Sequence, residues 1–215
     1  RPAGANASGP VVEPVAEEIA RYIREAGLER PAVVGHSMGG SWAMMLAGRH
    51  PELVSRVMVV DMIPFMGVMF GAQNVEGVRP VAEQIRRGFA SQDEPARRAQ
   101  TERTFPGMVR TESLRQGVID QSLASDPVVS GQAFYDLIVT DLRPELANIA
   151  VPMTVLWVHP PGAPFGPEQM EQYYRASYAS APRAVVKRIP DSYHFIMFDQ
   201  PEMFRRELRE FLAAD

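Results

Sequence analysis

Apolar and polar positions along this chain follow two different periods, and the switches between them mark its elements. Across residues 11–26 the apolar side chains Val15, Ile19, Tyr22 and Ile23 share one stripe. That spacing predicts an amphipathic helix, which Gly27 ends. Residues 31–35 read as a short apolar strand, followed at once by a small-residue helix to about position 49, where Pro51 stops it. Residues 56–61 contain Val57-Met58-Val59-Val60, an unbroken apolar run. Parallel strands, buried on both faces, require runs of that kind.

The texture changes after Asp61. Residues 63–142 carry no convincing strand pattern, and helices are predicted near 78–90, 94–105, 112–124 and 132–141. The strand pattern returns at 153–158, then a helix near 169–179, a strand at 184–189, a loop at 190–194 and a last helix at 201–212. This alternation predicts an α/β fold with a mainly parallel sheet, helices on both faces and a helical insertion. Residues 1–62 and 146–215 would form the two parts of the core, and 63–145 the insertion. Residues 1–10, rich in Gly, Ala, Pro and Ser, read as an extended loop.

Composition narrows the chemistry more than the fold. A length of 215 residues suits one domain with a sizeable core. The net charge of −4 gives no electrostatic case for nucleic acid, and Lys187 is the single lysine. The absence of cysteine excludes disulfides, thiolate metal sites and a cysteine nucleophile. No apolar run approaches the roughly 20 residues of a membrane span. The chain reads as a soluble protein whose compartment, cytoplasmic or exported, the composition does not fix, with no metal or cofactor expected.

The most informative stretch is Gly35-His36-Ser37-Met38-Gly39-Gly40, placed between a predicted strand and a predicted helix. Gly-x-Ser-x-Gly in that context is the sequence form of a nucleophile elbow, a tight turn that strains one serine and exposes its hydroxyl. Gly35 and Gly39 would flank Ser37 because side chains there would collide across the turn. The helix beginning near Met38 would aim its N-terminal amides at a developing oxyanion. These residues resemble the α/β-hydrolase family, in which Gly-His-Ser-Met-Gly-Gly is a common elbow spelling. The resemblance implies the α/β-hydrolase fold, with the helical insertion as a cap over the active site.

Four histidines are candidates for a catalytic base. His36 lies inside the elbow, His50 reads as a helix-end dipole partner, and His159 precedes Pro160-Pro161. His194 lies in Asp191-Ser192-Tyr193-His194-Phe195, between the last strand and the last helix, where the family carries its base. A serine–histidine pair also needs a carboxylate to hold the imidazole tautomer. Most of the family places it after the strand that here ends at Val158, but the following loop has no Asp or Glu before Glu168. Asp61 is the expected replacement, since some relatives carry the acid after the strand that follows the elbow helix. The alternative for Asp61 is a structural aspartate bonding loop amides. Asp199 reads as a helix N-cap, Asp191 as too close in sequence to His194, and Asp141 as part of a structural pair.

The resemblance also exposes a gap, because family members carry several strands before the helix leading to the elbow and this chain has room for none of them. Their absence would leave the strand at 32–35 with an open edge, and would remove the loop that usually supplies a second oxyanion amide beside Met38. The expectation is a fragment, with the missing strands supplied by upstream sequence or by another chain. The cap is rich in Met (Met62, Met66, Met69 and Met108, beside Phe65 and Phe70), which reads either as an adaptable pocket or as core filling. The residues expected at the substrate are His36, Met62, Phe65, Met66 and Phe195. The function implied is a carboxylesterase: Ser37 as nucleophile, His194 as base, Asp61 as acid, and Met38 in the oxyanion hole. Its substrate would be a small ester with an apolar acyl or alcohol group. Lactonases, carbon–carbon-bond hydrolases, aminopeptidases, cofactor-free haloperoxidases and a non-catalytic binding protein of the same fold remain open.

Overall fold

The computed structural model describes residues 9–163 and 165–213. Most of the segment read as an extended N-terminal loop lies outside them. The described residues divide into two compact units. One is built on Val15–Pro64 and the chain from Leu142 onward; the other joins Phe65–Asp141 to the residues up to Pro14.

The first unit holds a four-stranded parallel sheet in the order β1 (Ala32–His36), β2 (Arg56–Val60), β3 (Met153–Trp157), β4 (Ala184–Arg188). Register pairs His36 with Val60, Val60 with Leu156 and Leu156 with Lys187. Because paired residues of parallel strands share a face, Met58, Val60, Leu156 and Val158 form one apolar surface with Ile189, Ile196 and Phe211. Phe211 belongs to α9 (Pro201–Ala213), so α9 covers this face. Val57, Val59 and Val155 face the other way, toward α2 (Met38–Arg49), and on that side Trp157 stacks on Tyr174 of α7 (Pro167–Ser177) at 5.0 Å. Helices thus cover both faces. α1 (Val12–Glu25) precedes β1, and the short α8 (Ile196–Asp199) precedes α9.

Charged pairs tie the periphery of this unit. Arg49 makes a two-pronged bond to Glu145, with both N···O distances 2.7 Å. Lys187 reaches from β4 to Glu207 (2.7 Å) and Glu210 (3.0 Å) on α9. Among the described residues β1 pairs only with β2, so it is an edge of the sheet, with Val34 43% exposed.

The second unit is helical: α3 (Val75–Ser91), α4 (Glu94–Thr104), α5 (Glu112–Ala124) and α6 (Pro127–Val139). Its core joins Phe65, Val78, Ala82 and Ile138. α3 and α6 pack closely enough that a Cβ at Gly131 would come within 2.8 Å of Phe89 Cβ. Helix caps set boundaries that hydrophobic period alone misses. Asp126 accepts from the amides of Val128 and Val129 at 2.9 and 3.0 Å, so α6 starts at Pro127 and not at 132. Asn74 accepts from Gly77 N at 2.9 Å and starts α3 at Val75. Residues 9–14 group with this unit through Asp136, whose Oδ2 accepts from Val11 N at 2.5 Å and Val12 N at 3.3 Å. A buried carboxylate of α6 thus satisfies amides at the start of α1.

Candidate active site

The site residues collect at the carboxyl ends of the strands. The β1–β2 ladder runs one residue past β1, with Ser37 N donating to Val60 O at 2.9 Å. The β2–β3 ladder does the same, with Asp61 N donating to Leu156 O at 2.8 Å. Ser37 and Asp61 therefore leave the sheet side by side on one rim, where open α/β sheets gather ligands. Both have left-handed backbones, φ 54° for Ser37 and 50° for Asp61, and Asp191 in the loop after β4 has φ 52°. Such angles are uncommon outside glycine and cost on the order of 1–3 kcal/mol each.

The tight turn at Ser37 depends on its glycines unequally. A Cβ at Gly35 would lie 2.0 Å from Gly39 O, which no side chain can accommodate. Gly39, expected to be constrained in the same way, has nothing within 4 Å of its added Cβ. The second close position is Gly40, whose Cβ would sit 3.0 Å from Met62 Cβ and from Val59 Cγ1. Gly40 is where α2 presses onto β2, whereas the Gly39 side of the turn is open.

His194 lies in the loop between β4 and α8, and its Nδ1 is 2.7 Å from Asp61 Oδ2. An ionised carboxylate can only accept, so the neutral ring carries its proton on Nδ1 and leaves Nε2 as a base. The other oxygen, Asp61 Oδ1, accepts from Val158 N at 3.3 Å and from Tyr174 OH at 3.2 Å. Val158, just past the end of β3, thus contributes a backbone amide to Asp61, and the loop after it brings no carboxylate of its own. Burial first, then the negative charge of Asp61, pushes the Tyr174 phenol well above its ordinary value, so it remains a donor. Tyr178 OH donates to Met62 O at 2.7 Å and fixes the main chain just beyond Asp61.

The remaining candidates fall in different places. His36 Nε2 lies 2.9 Å from the backbone oxygen of His194, and its ring packs against His194 (4.5 Å) and Phe195 (5.0 Å). Burial, and then the neighbouring His194, lower the His36 pKa from 6.5 to about 4. Phe195 stacks on Phe198 at 5.5 Å. Met62 is buried in the sheet unit. Phe65 is 1% exposed and lies in the core of the helical unit, beside Gly67, with Met66 packed on the same cluster. Met38 is the first residue of α2, at the end where helix amides lack intrahelical partners.

His159 turns into its own loop, with Nε2 2.8 Å from Phe165 O. His50 Nε2 lies 3.2 Å from Glu17. Asp199 does not start α9. It is the last residue of α8, and its carboxylate accepts from Tyr193 N at 2.9 Å, holding the residue next to His194. The pattern of the sequence did not point to Tyr174: its hydroxyl reaches Asp61 across 113 residues, and its place on the apolar side of an amphipathic helix reads as core. Among the described residues no group of three or more His, Cys, Asp or Glu could hold a metal ion. No helix among them is long and apolar enough to cross a membrane.

With this geometry in place, comparison with known proteins assigns the class. The chain belongs to the alpha/beta hydrolase family, whose sequence profile matches residues 4–207. Across 218 aligned positions it is 24% identical to the sn-1-specific diacylglycerol lipase ABHD11 of Mus musculus, covering 94% of this chain and 65% of that protein. A 61-residue stretch is 39% identical to part of a Haemophilus influenzae protein named for esterase/lipase activity, 28% of this chain and 21% of that one. The chain thus spans less than two thirds of either relative. Its fold is also that of the enol-lactonase of Burkholderia xenovorans, with TM-score 0.75 at 17% identity over 99% of this chain and 78% of that one.

Proposed function

We propose that this protein is a serine hydrolase acting on carboxylic esters, with Ser37 as nucleophile, His194 as general base and Asp61 as the acid that orients it. The observation that carries this reading is the 2.7 Å contact between His194 Nδ1 and Asp61 Oδ2, on the rim where Ser37 stands in a left-handed turn. Ser37 then occupies a nucleophile elbow, with Gly35 making room for the turn. In the reaction His194 Nε2 takes the hydroxyl proton as Ser37 Oγ attacks the ester carbonyl. The Met38 amide donates to the developing oxyanion, aided by the α2 dipole. His194 returns the proton to the departing alcohol, leaving an acyl group on Ser37. Water, deprotonated by His194, attacks that acyl group, and His194 returns the proton to Ser37 Oγ as the acid is released.

For the substrate we propose a small ester with an apolar acyl or alcohol group, a reading supported by the apolar side chains Met62 and Phe195 next in sequence to Asp61 and His194. Met62 and Phe195 are the proposed contacts for that group, and Met66, packed on the core of the helical unit, leaves that set. His36 and Phe65 leave that set, because His36 is bonded to His194 O and Phe65 is enclosed in the helical core. The esterase and lipase names of the two sequence relatives support the ester class. The test is labelling by a fluorophosphonate together with hydrolysis of a short-chain nitrophenyl ester. Wild type should be labelled on Ser37 and turn over the ester, and Ser37→Ala should do neither. Turnover in that variant within tenfold of wild type would overturn the reading.

A further inference from the structure

We propose, resting on the serine-hydrolase reading, that His36 is a positioning residue: its Nε2–H grips the main-chain carbonyl of His194 and ties the base to the turn that carries Ser37. The direction of the bond follows from its partner. A carbonyl oxygen only accepts, so the 2.9 Å contact requires a proton on His36 Nε2. The ring is neutral in that role, and burial together with the adjacent His194 keeps it so, with a pKa of about 4.

The need for such a grip comes from the topology. Ser37 follows β1 at one edge of the described sheet, and the loop bearing His194 follows β4 at the other. That loop must return across β3 and β2, through a left-handed residue at Asp191, without joining a strand or helix until Ile196. Asp61 fixes the far side of the imidazole but comes from β2, and a single contact there lets the ring pivot about it. Asp199 holds Tyr193 N from the α8 side. The His36 contact comes from β1 itself, from the residue bonded directly to Ser37. Any movement of the Ser37 turn therefore carries the main chain of His194 with it. Proton transfer between Ser37 and His194 is sensitive to displacements of about 1 Å, which can cost roughly 100-fold in rate.

Charge also favours a neutral anchor. The groups facing His36 are His194, Asp61 and Phe195. When His194 becomes imidazolium during the reaction, a second cation with its ring centroid 4.5 Å away would oppose that charge. A neutral His36 supplies the hydrogen bond without the repulsion.

The test compares His36→Phe, which keeps an aromatic ring and loses the donor, with His36→Gln, whose side-chain amide reaches to where Nε2 stands. The readouts are kcat and KM for a nitrophenyl ester, the rate of fluorophosphonate labelling at Ser37, and the melting temperature. His36→Phe should lose about 10- to 100-fold in kcat and in labelling rate with KM little changed. His36→Gln should recover most of the loss. A residue that only packs would lower the melting temperature of both variants and leave kcat alone. A folded His36→Phe protein labelled at the wild-type rate overturns the inference while leaving the hydrolase reading intact; an unlabelled wild type sinks that reading instead. Should His36→Phe fail to fold, the ring-nitrogen NMR shifts of wild-type His36 decide: a neutral Nε2–H tautomer at neutral pH is expected, and an Nδ1–H tautomer or a charged ring overturns the proposal.

Discussion

Replacing Asp61 by Asn changes one atom, and the surroundings of that atom determine the outcome. Asp61 Oδ1 faces two donors, Val158 N at 3.3 Å and Tyr174 OH at 3.2 Å, while Oδ2 faces His194 Nδ1 at 2.7 Å. The new amide has two orientations. With its oxygen on the Val158 side, its NH2 meets His194 Nδ1 and forces that nitrogen to accept. The imidazole proton then moves to Nε2, the nitrogen that serves as base in the proposed mechanism, and it can no longer take a proton. With the amide turned round, its oxygen could hold the correct tautomer, but NH2 would oppose the Val158 N–H. The Tyr174 hydroxyl can rotate to accept; the backbone amide cannot. One opposed buried donor costs about 1–3 kcal/mol. The wrong-tautomer orientation should therefore dominate. In the proposed chemistry the loss is roughly 10⁴-fold in kcat, on the order of 5 kcal/mol in the barrier. The assay is ester turnover, with a thermal melt to show that the variant folds. A folded Asp61→Asn protein within tenfold of wild type would refute this account and return Asp61 to a purely structural role. The reasoning about Ser37 would survive that result, but the role given to the Asp61–His194 contact would not.

Two further outcomes follow from the same rim. Gly35→Ala should prevent folding or cost several kcal/mol, because its Cβ would overlap Gly39 O, whereas Gly39→Ala should leave the melting temperature unchanged or slightly raised; equal effects at the two positions would show the turn geometry to be misread. Tyr174→Phe removes one donor from Asp61 while keeping the stack on Trp157, and should lower stability by about 1 kcal/mol and kcat severalfold, measured by melting and turnover.

The parts of this protein that are legible in sequence are those where a local pattern has one physical solution. Val57-Met58-Val59-Val60, a short unbroken apolar run, reads as a strand covered on both faces, and its alternation with helices reads as a parallel sheet, though not as the strand order. The tight turn at Ser37 is legible because it demands glycine at 35, and Asp61 is the candidate acid because the loop after Val158 offers no carboxylate. What stayed hidden depends on partners far apart in the chain. Asp136 holds Val11 and Val12 from about 125 residues away, so the N-terminal residues group with the helical unit, a partition no local period encodes. The position of His36 beside Ser37 reads, in sequence, as facing substrate. Its actual partner, the His194 carbonyl, is fixed only when the loop after β4 folds back toward β1. The helix starts at Val75 and Pro127 were within reach: Asn74 and Asp126-Pro127 are cap signals that the apolar period overrode.

The protonation of His36 gives a last prediction, on stability rather than rate. Its pKa is about 4 in the folded protein against 6.5 when unperturbed. Between those values the unfolded chain binds a proton at this position that the folded chain does not. Stability must therefore fall as pH drops from about 6.5 toward 4, and the contribution of this group levels off below that. The slope cannot exceed about 1.4 kcal/mol per pH unit for one group. Glu52 and Glu210 are also lowered from 4.5, and Glu83 to about 2, so their effects set in at lower pH. The window between pH 6.5 and 5 isolates His36 from these carboxylates. Chemical-denaturation curves across that window should show wild-type stability declining with acid and His36→Gln declining less, with the two proteins diverging by about 1–2 kcal/mol at pH 5. Parallel curves would mean that the His36 ring is not held neutral by the fold. The same result would remove the electrostatic reason for placing a histidine, rather than a charged donor, against the carbonyl of His194.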